Sequence, residues 1–333
     1  MNNLKKLMII NYENVKKVED NMHLYKISPD STIFHVIERN QFEKDTQSKF
    51  PFVQQNDKGE ACYFAICPAC DNPIQIINLY HSSDKLLNPY GKHYHKQVNG
   101  SYNNVVQLGY FNPDNYKQCP FAAHNANKRY DPSHRKSKLD DISRKILIIL
   151  NQYLDRIIYL IQKDIGFQIG KNLLINMLQN YINFEGYLYC GATTLNVPWI
   201  FAYMSKNHSL FGKKIIDSTL KDTILEKTNK FIKMEKGCFT FSSKIFTELN
   251  FYFTNHIPLS ANNKKESIDL VITYQVSNSE FREPQEIYRK TIEMNHVYFS
   301  NLINLDQGKW HKNSFNDYCI EQANELISPI LIR

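Results

Sequence analysis

The stretch Tyr63-Phe64-Ala65-Ile66-Cys67-Pro68-Ala69-Cys70-Asp71-Asn72-Pro73-Ile74-Gln75-Ile76-Ile77 carries the most chemistry per residue in this chain. One apolar run enters Cys-x-x-Cys, polar turn residues follow, and a second apolar run leaves. That order predicts a hairpin whose tight turn aims two thiolates at one point, half of a tetrahedral zinc site. A redox pair is the competing reading of Cys-x-x-Cys, but no thioredoxin-like βαβ pattern surrounds this one.

The complementary pair is expected further along the chain. Cys119 and His124, in Cys-Pro-Phe-Ala-Ala-His, supply it. Pro120 directly after the Cys suits a turn or the start of a helix, whose amino terminus favours a thiolate. Mixed thiolate and imidazole ligation suits Zn2+ in a structural role. His81, His93, His95 or His134 can replace His124 in the set. Cys62, Cys190, Cys238 and Cys319 lie in or beside apolar segments and read as ordinary core cysteines. Seven Cys in 333 residues is too few and too odd a number for a disulfide scaffold.

A hairpin bearing one ligand pair, followed by a second pair near a helix start, resembles the treble-clef class of zinc modules over about residues 62–130. The gap of 48 residues between the pairs is longer than in compact members. Within it, Gly91-Lys92-His93-Tyr94-His95-Lys96 brings two histidines together. His124-Asn125-Ala126-Asn127-Lys128 resembles the end of HNH-type nucleases. That resemblance implies a treble-clef fold and a catalytic His at His93 or His95, activating water beside a divalent metal. The Asp that usually precedes that His is absent.

The chain carries 40 Lys and Arg against 33 Asp and Glu, a net +7. Between Lys85 and Lys138 nine basic residues face only Asp114 and Asp131, so the whole excess lies in one window. Such a window attracts phosphate. Residues 126–138 (ANKRYDPSHRKSK) read as an exposed basic arm. Lys128, Arg129, Arg135, Lys136 and Lys138 are its candidates for nucleic-acid backbone, with Tyr130 to stack on a base. The 36 Asn residues are a compositional bias, so no single Asn is read as functional. No targeting segment stands out, and the most apolar stretch, Ile146–Ile161, is broken by Asn151, Gln152, Asp155 and Arg156, which a bilayer centre penalises. The expectation is a cytoplasmic protein with no membrane partner.

In the carboxyl half, Leu139, Ile142, Ile146, Ile149, Tyr153, Ile157 and Leu160 recur at spacings of three and four. They predict a helix over about 139–165, with its start near Ser137 and Asp140. Helices are also expected over 171–184, from Pro198, over 217–234 and over 315–327. Strands are expected within 238–255, over 268–276 and over 287–293. Gly191, Thr193 and Thr194 stand out as a small polar cluster before Val197-Pro198-Trp199. No phosphate-cradling Gly loop, nucleophile elbow or paired carboxylates are present.

These readings combine into an α+β protein. An amino-terminal zinc domain with its basic arm covers 1–137, and an α+β domain of helices followed by a mostly antiparallel sheet covers 138–333. The expected function is non-catalytic binding of DNA, RNA or a nucleoprotein partner by a zinc-finger-like module. The alternatives are an HNH-like metal-dependent nuclease, or a protein-interaction scaffold stiffened by zinc.

Overall fold

In the computed structural model of the chain, the apolar runs flanking Cys67 and Cys70 pair as adjacent antiparallel strands, Tyr63 opposite Ile76 and Ile66 opposite Pro73. The structure describes residues 22–80, 88–95, 97–98, 101–102, 107–125, 130–228, 231–242, 247–260, 263, 265–276, 283–310 and 313–332. The first half contains β1 (Leu24–Tyr25), β2 (His35–Val36), α1 (Arg39–Thr46), β3 (Val53–Gln55), β4 (Ala61–Ile66), β5 (Pro73–Ile77), β6 (Tyr90–His93), β7 (Gln97–Val98), β8 (Ser101–Tyr102) and α2 (Pro113–Gln118). The second half contains α3 (Asp141–Ile165), α4 (Lys171–Asn183), α5 (Val197–Tyr203), β9 (His208–Ser209), α6 (Ser218–Lys227), β10 (Ile232–Glu235), β11 (Cys238–Phe241), β12 (Thr247–Ile257), β13 (Ser267–Val276), β14 (Gln285–Glu293), α7 (His296–Ile303) and α8 (Ser314–Leu331).

The fold is α+β, with antiparallel sheets throughout the described residues. One four-stranded sheet runs in the order β3-β4-β5-β6 and another in the order β14-β13-β12-β9. Along β12, Thr247, Leu249, Phe251 and Phe253 are buried in strict alternation, the period of a half-buried strand. Its partner β13, flanked by β12 and β14 on its two edges, is buried at every position from Ser267 to Thr273. Phe167 closes edge-on over Phe251 at 4.7 Å.

Helix α3 buries Ile142, Ile146, Ile149, Ile157 and Leu160 on the face expected from their spacing. Its cap is Asp140, whose side chain accepts the Ser143 N–H at 2.7 Å, rather than Ser137. It ends on Gly166, held left-handed at φ 80°, with its N–H on the Gln162 carbonyl. Midway, Tyr153 leaves helical geometry (φ −134°, ψ 23°) and the helix kinks. No Pro or Gly explains the kink; beside it, the Asn151 side-chain oxygen is buried with no hydrogen-bond partner among the described residues.

Two expectations fail in this half. The helix expected over 217–234 stops at Lys227, and Ile232–Glu235 forms a strand instead, paired with Cys238–Phe241. The connecting residues Lys236 and Gly237 both have positive φ, at 50° and 81°, as a two-residue hairpin turn requires. The second miss is α7, which lies outside every expected helix. Among the described residues, no helix is long and apolar enough to cross a membrane.

Buried apolar residues form two clusters. The larger joins α3, α4, α5 and α8 to the second sheet, and the smaller lies around β1, α1, β4 and β5. They interlock across the expected boundary, since Leu195 and Leu259 belong to the smaller cluster and Tyr130 to the larger.

Candidate metal centre

The strand β4 ends at Ile66, and the next six residues turn the chain back. The Cys67 N–H donates to the Asn72 carbonyl at 2.8 Å, and the Asp71 N–H donates to the Cys67 carbonyl at 3.0 Å. Asp71 takes the left-handed conformation (φ 61°) that lets β5 return beside β4. The strand β6 then pairs with β5 in a register that sets His93 opposite Ile74, next to the turn.

The fourth side chain arrives from α2. Asn112 caps this helix, accepting the Asn115 N–H at 3.1 Å. Its own backbone is gripped by the buried Asn72 side chain: the Asn112 N–H donates to Asn72 Oδ1 at 2.5 Å, and Asn72 Nδ2 donates to the Asn112 carbonyl at 3.1 Å. Cys119 follows the helix at its C-cap. Asn125 Nδ2 then holds the carbonyls of Lys117 and Cys119, at 3.0 and 2.8 Å.

These elements bring Cys67, Cys70, His93 and Cys119 together, with all four ligand atoms within 4.8 Å of one another. Cys67 Sγ lies 3.7 Å from Cys119 Sγ. His93 Nε2 lies 3.2 Å from Cys70 Sγ and 3.5 Å from Cys119 Sγ. A tetrahedron with metal–sulfur bonds of about 2.3 Å and metal–nitrogen bonds of about 2.0 Å has edges of roughly 3.5–3.8 Å; the separations of 3.7 and 3.5 Å lie in that range and the one of 3.2 Å is shorter, a spacing close enough that one ion could be held. They are too long for a disulfide. The three sulfurs are buried and His93 is half-buried, with Tyr116 edge-on against its ring at 4.9 Å. Asn72 Nδ2 also donates to Cys70 Sγ at 3.3 Å, an outer contact that orients a ligating sulfur.

Burial acts against charge on all three sulfurs. It pushes the Cys67 and Cys119 thiols well up. At Cys70 burial also opposes the thiolate, but hydrogen bonds with Cys119 and Cys67 and the neighbouring His93 outweigh it and hold this thiol well down. Three sulfurs crowded in a dry site favour a divalent cation, which replaces protons with one compact charge.

The cluster therefore contains Cys67, Cys70 and Cys119 from the sequence reading, but His93 stands where His124 was expected. His124 sits in the short 3-10 turn at residues 123–125, exposed, with Nε2 3.1 Å from the Lys117 carbonyl. The helix also precedes Cys119 rather than following it, so no helix amino terminus supports that thiolate. The treble-clef expectation is met only in its hairpin turn. The signal that points to His93 is strand register: position 93 lies across from Ile74, three residues after the Cys70-Asp71 turn. His95 is exposed and packs on Phe111 at 4.8 Å, outside the cluster. Among the described residues no second set of three or more such side chains converges this tightly.

The basic arm is corrected in part. Tyr130 is buried in the larger core, 6.3 Å from the Tyr189 ring, and is not available to stack on a base. Lys136 Nζ is buried against Asp140 (3.0 Å) and Ser143 (3.2 Å). Arg135 is half-buried, with Nε donating to the Phe184 carbonyl at 2.9 Å. The backbone is stitched down as well, His134 and Lys136 bonding Cys190 and Leu188. Lys138 is exposed, whereas Lys128 and Arg129 lie outside the described residues, as does His81. No protein-family model matches the chain, and comparisons with curated proteins and with solved structures return no match.

Proposed function

We propose that the chain is a zinc-binding protein in which one structural Zn2+ is held by Cys67, Cys70, Cys119 and His93, and that the basic surface around this centre binds nucleic-acid backbone without catalysis. The observation that carries the zinc reading is the convergence of three buried sulfurs and one imidazole, all within 4.8 Å of one another. Four protein ligands leave no open coordination position, which distinguishes a structural site from a catalytic one. Thiolate-rich ligation favours zinc over magnesium or calcium.

Support for the nucleic-acid reading is electrostatic. The +7 excess lies within the window that contributes two of the four ligands, His93 and Cys119. Lys92 and Lys117, both exposed, adjoin His93 and come two residues before Cys119. Their positions move the candidate contact from the arm to the rim of the centre, with Lys138 as a further exposed cation. The HNH-like alternative has less to stand on, because His93 belongs to the cluster and His95 belongs to no converging group of three or more such ligands among the described residues.

The test is retention of single- and double-stranded DNA and RNA at rising salt. Binding is expected to weaken steeply with salt, and Lys92→Ala with Lys117→Ala is expected to reduce the log–log slope by roughly one per lost phosphate contact. Retention absent at low salt, or unchanged in the double variant, contradicts this reading while leaving the zinc site standing.

A further inference from the structure

Behind the Cys67–Cys70 turn, between it and α3, lies a cavity of about 240 Å³. Its walls are Phe34, Pro68, Ile148, Ile149 and Ile303, contributed by both halves of the chain. At one end stand two lysines. Lys26 is 3% exposed and Lys145 is 30% exposed. Both grip the same carboxylate, Lys26 Nζ at 2.5 Å from Asp71 Oδ1 and Lys145 Nζ at 2.7 Å from Asp71 Oδ2, and both also donate to the Pro29 carbonyl at 2.9 Å. Lys26 and Lys145 are among the residues that line the cavity, whereas Asp71 lines the adjoining pocket together with Lys145. Two lysines thus share one largely buried carboxylate beside the cavity. Asp30 is the other acid at the cavity, but it is 92% exposed and 3.6 Å from Lys145 Nζ, where water screens it.

The donor count points the same way. Lys26 spends its three donors on Asp71, the Pro29 carbonyl and, at 3.4 Å, the Ser31 carbonyl. Lys145 makes two hydrogen bonds, to the Pro29 carbonyl and Asp71, and a looser ion pair at 3.6 Å with the exposed Asp30. Thr194, singled out in the sequence, ties the cavity floor together by donating from Oγ1 to the Pro68 carbonyl at 3.0 Å. An apolar chamber with one convergent charged end is the ordinary form of a small-molecule site.

We infer that this cavity is a binding site for a small amphipathic monoanion, a carboxylate with a short apolar body, whose head meets Lys145 and whose body lies along Ile148, Ile149 and Phe34. Its failure would leave the zinc and nucleic-acid readings untouched.

The test is calorimetric titration of the full-length, metal-loaded chain with octanoate, 1-octanol and acetate. Octanoate is expected to bind one to one, with octanol and acetate each weaker by about tenfold or more, since the site needs both body and charge. Lys145→Gln is expected to weaken octanoate about tenfold and to leave octanol unchanged. Ile148→Trp, at a side chain 38% exposed on the cavity wall, is expected to block both while circular dichroism and thermal midpoint stay native. No saturable binding of octanoate overturns the inference. So does octanol binding as tightly as octanoate, or octanoate binding that neither variant affects.

Discussion

Glu266 is a buried acid held by three side chains. It is buried, yet its carboxylate takes His256 Nε2 at 2.8 Å and Asn196 Nδ2 at 2.7 Å on Oε1, and His296 Nε2 at 2.7 Å on Oε2. His256 Nδ1 in turn meets the Tyr189 hydroxyl at 3.0 Å. Burial alone would raise the carboxyl, but the hydrogen bonds and charge of the two histidines reverse that and hold it at about 2, against 4.5 for a free glutamate. A depressed carboxyl stabilises the fold above its unfolded value, and that stability is lost as pH falls. Thermal stability is therefore expected to drop between about pH 4.5 and pH 2, and Glu266→Gln is expected to flatten the drop while costing about 3 kcal/mol near neutrality by leaving buried donors unmet. Equal pH slopes for the two proteins in denaturant titrations would contradict this. None of this network was legible in the sequence. His256 lies in β12, Glu266 just before β13 and His296 at the start of α7, with no motif spacing, and the pairing of β12 with β13 and the docking of α7 bring them together. Cys67 and Cys70 were legible because their chemistry is local. His93 was visible as a candidate, but choosing it over His124 required the register of β6.

At the scale of elements, β6 depends on a close approach. A Cβ on Gly91 would sit 2.9 Å from Ile74 Cδ1 and 3.1 Å from Met22 Sδ, because the chain at Met22 bridges directly to Gly91. The Gly91 N–H donates to the Met22 carbonyl at 2.8 Å. Gly91→Ala is expected to destabilise by about 1–3 kcal/mol through this overpacking and to displace His93, two residues on. Chemical denaturation read beside metal content checks it, and a variant with native stability and full metal content would contradict the account of β6. Helix α3 and strands β12 to β14 were legible because their apolar periods are long and regular. The stretch 217–234 was not. Its apolar residues suit a helix of period 3.6 up to Thr228, and the strand beyond owes its existence to the Lys236-Gly237 turn and its partner β11. The arm over 126–138 misled for a different reason: basic residues look solvated in a sequence, whereas here Lys136 caps into Asp140 and Tyr130 fills a core.

Across the whole molecule, the Cys67–Cys70–His93–Cys119 cluster is a joint rather than an appendage. The turn between Cys67 and Cys70 is held to the helical half through Thr194 on the Pro68 carbonyl and through Lys145 on Asp71. The region just before α1 is tied by Ser300 Oγ donating to the Thr32 carbonyl at 2.9 Å and by Thr32 Oγ1 donating to Asn304 at 2.9 Å. Leu195 and Leu259 reach from the helical half into the smaller core. An ion at this position would set the angle at which β4, β5, β6 and α2 meet, and through Asp71 the placement of both cavity lysines. The measurement that tests this account most directly is metal content per chain, by elemental analysis of chelator-free protein, for the native sequence, His93→Ala and His124→Ala. The account predicts about one zinc per chain in the native protein, retained in His124→Ala and lost or sharply weakened in His93→Ala. Zinc kept by His93→Ala and lost from His124→Ala, or a folded native chain that binds none, would contradict it.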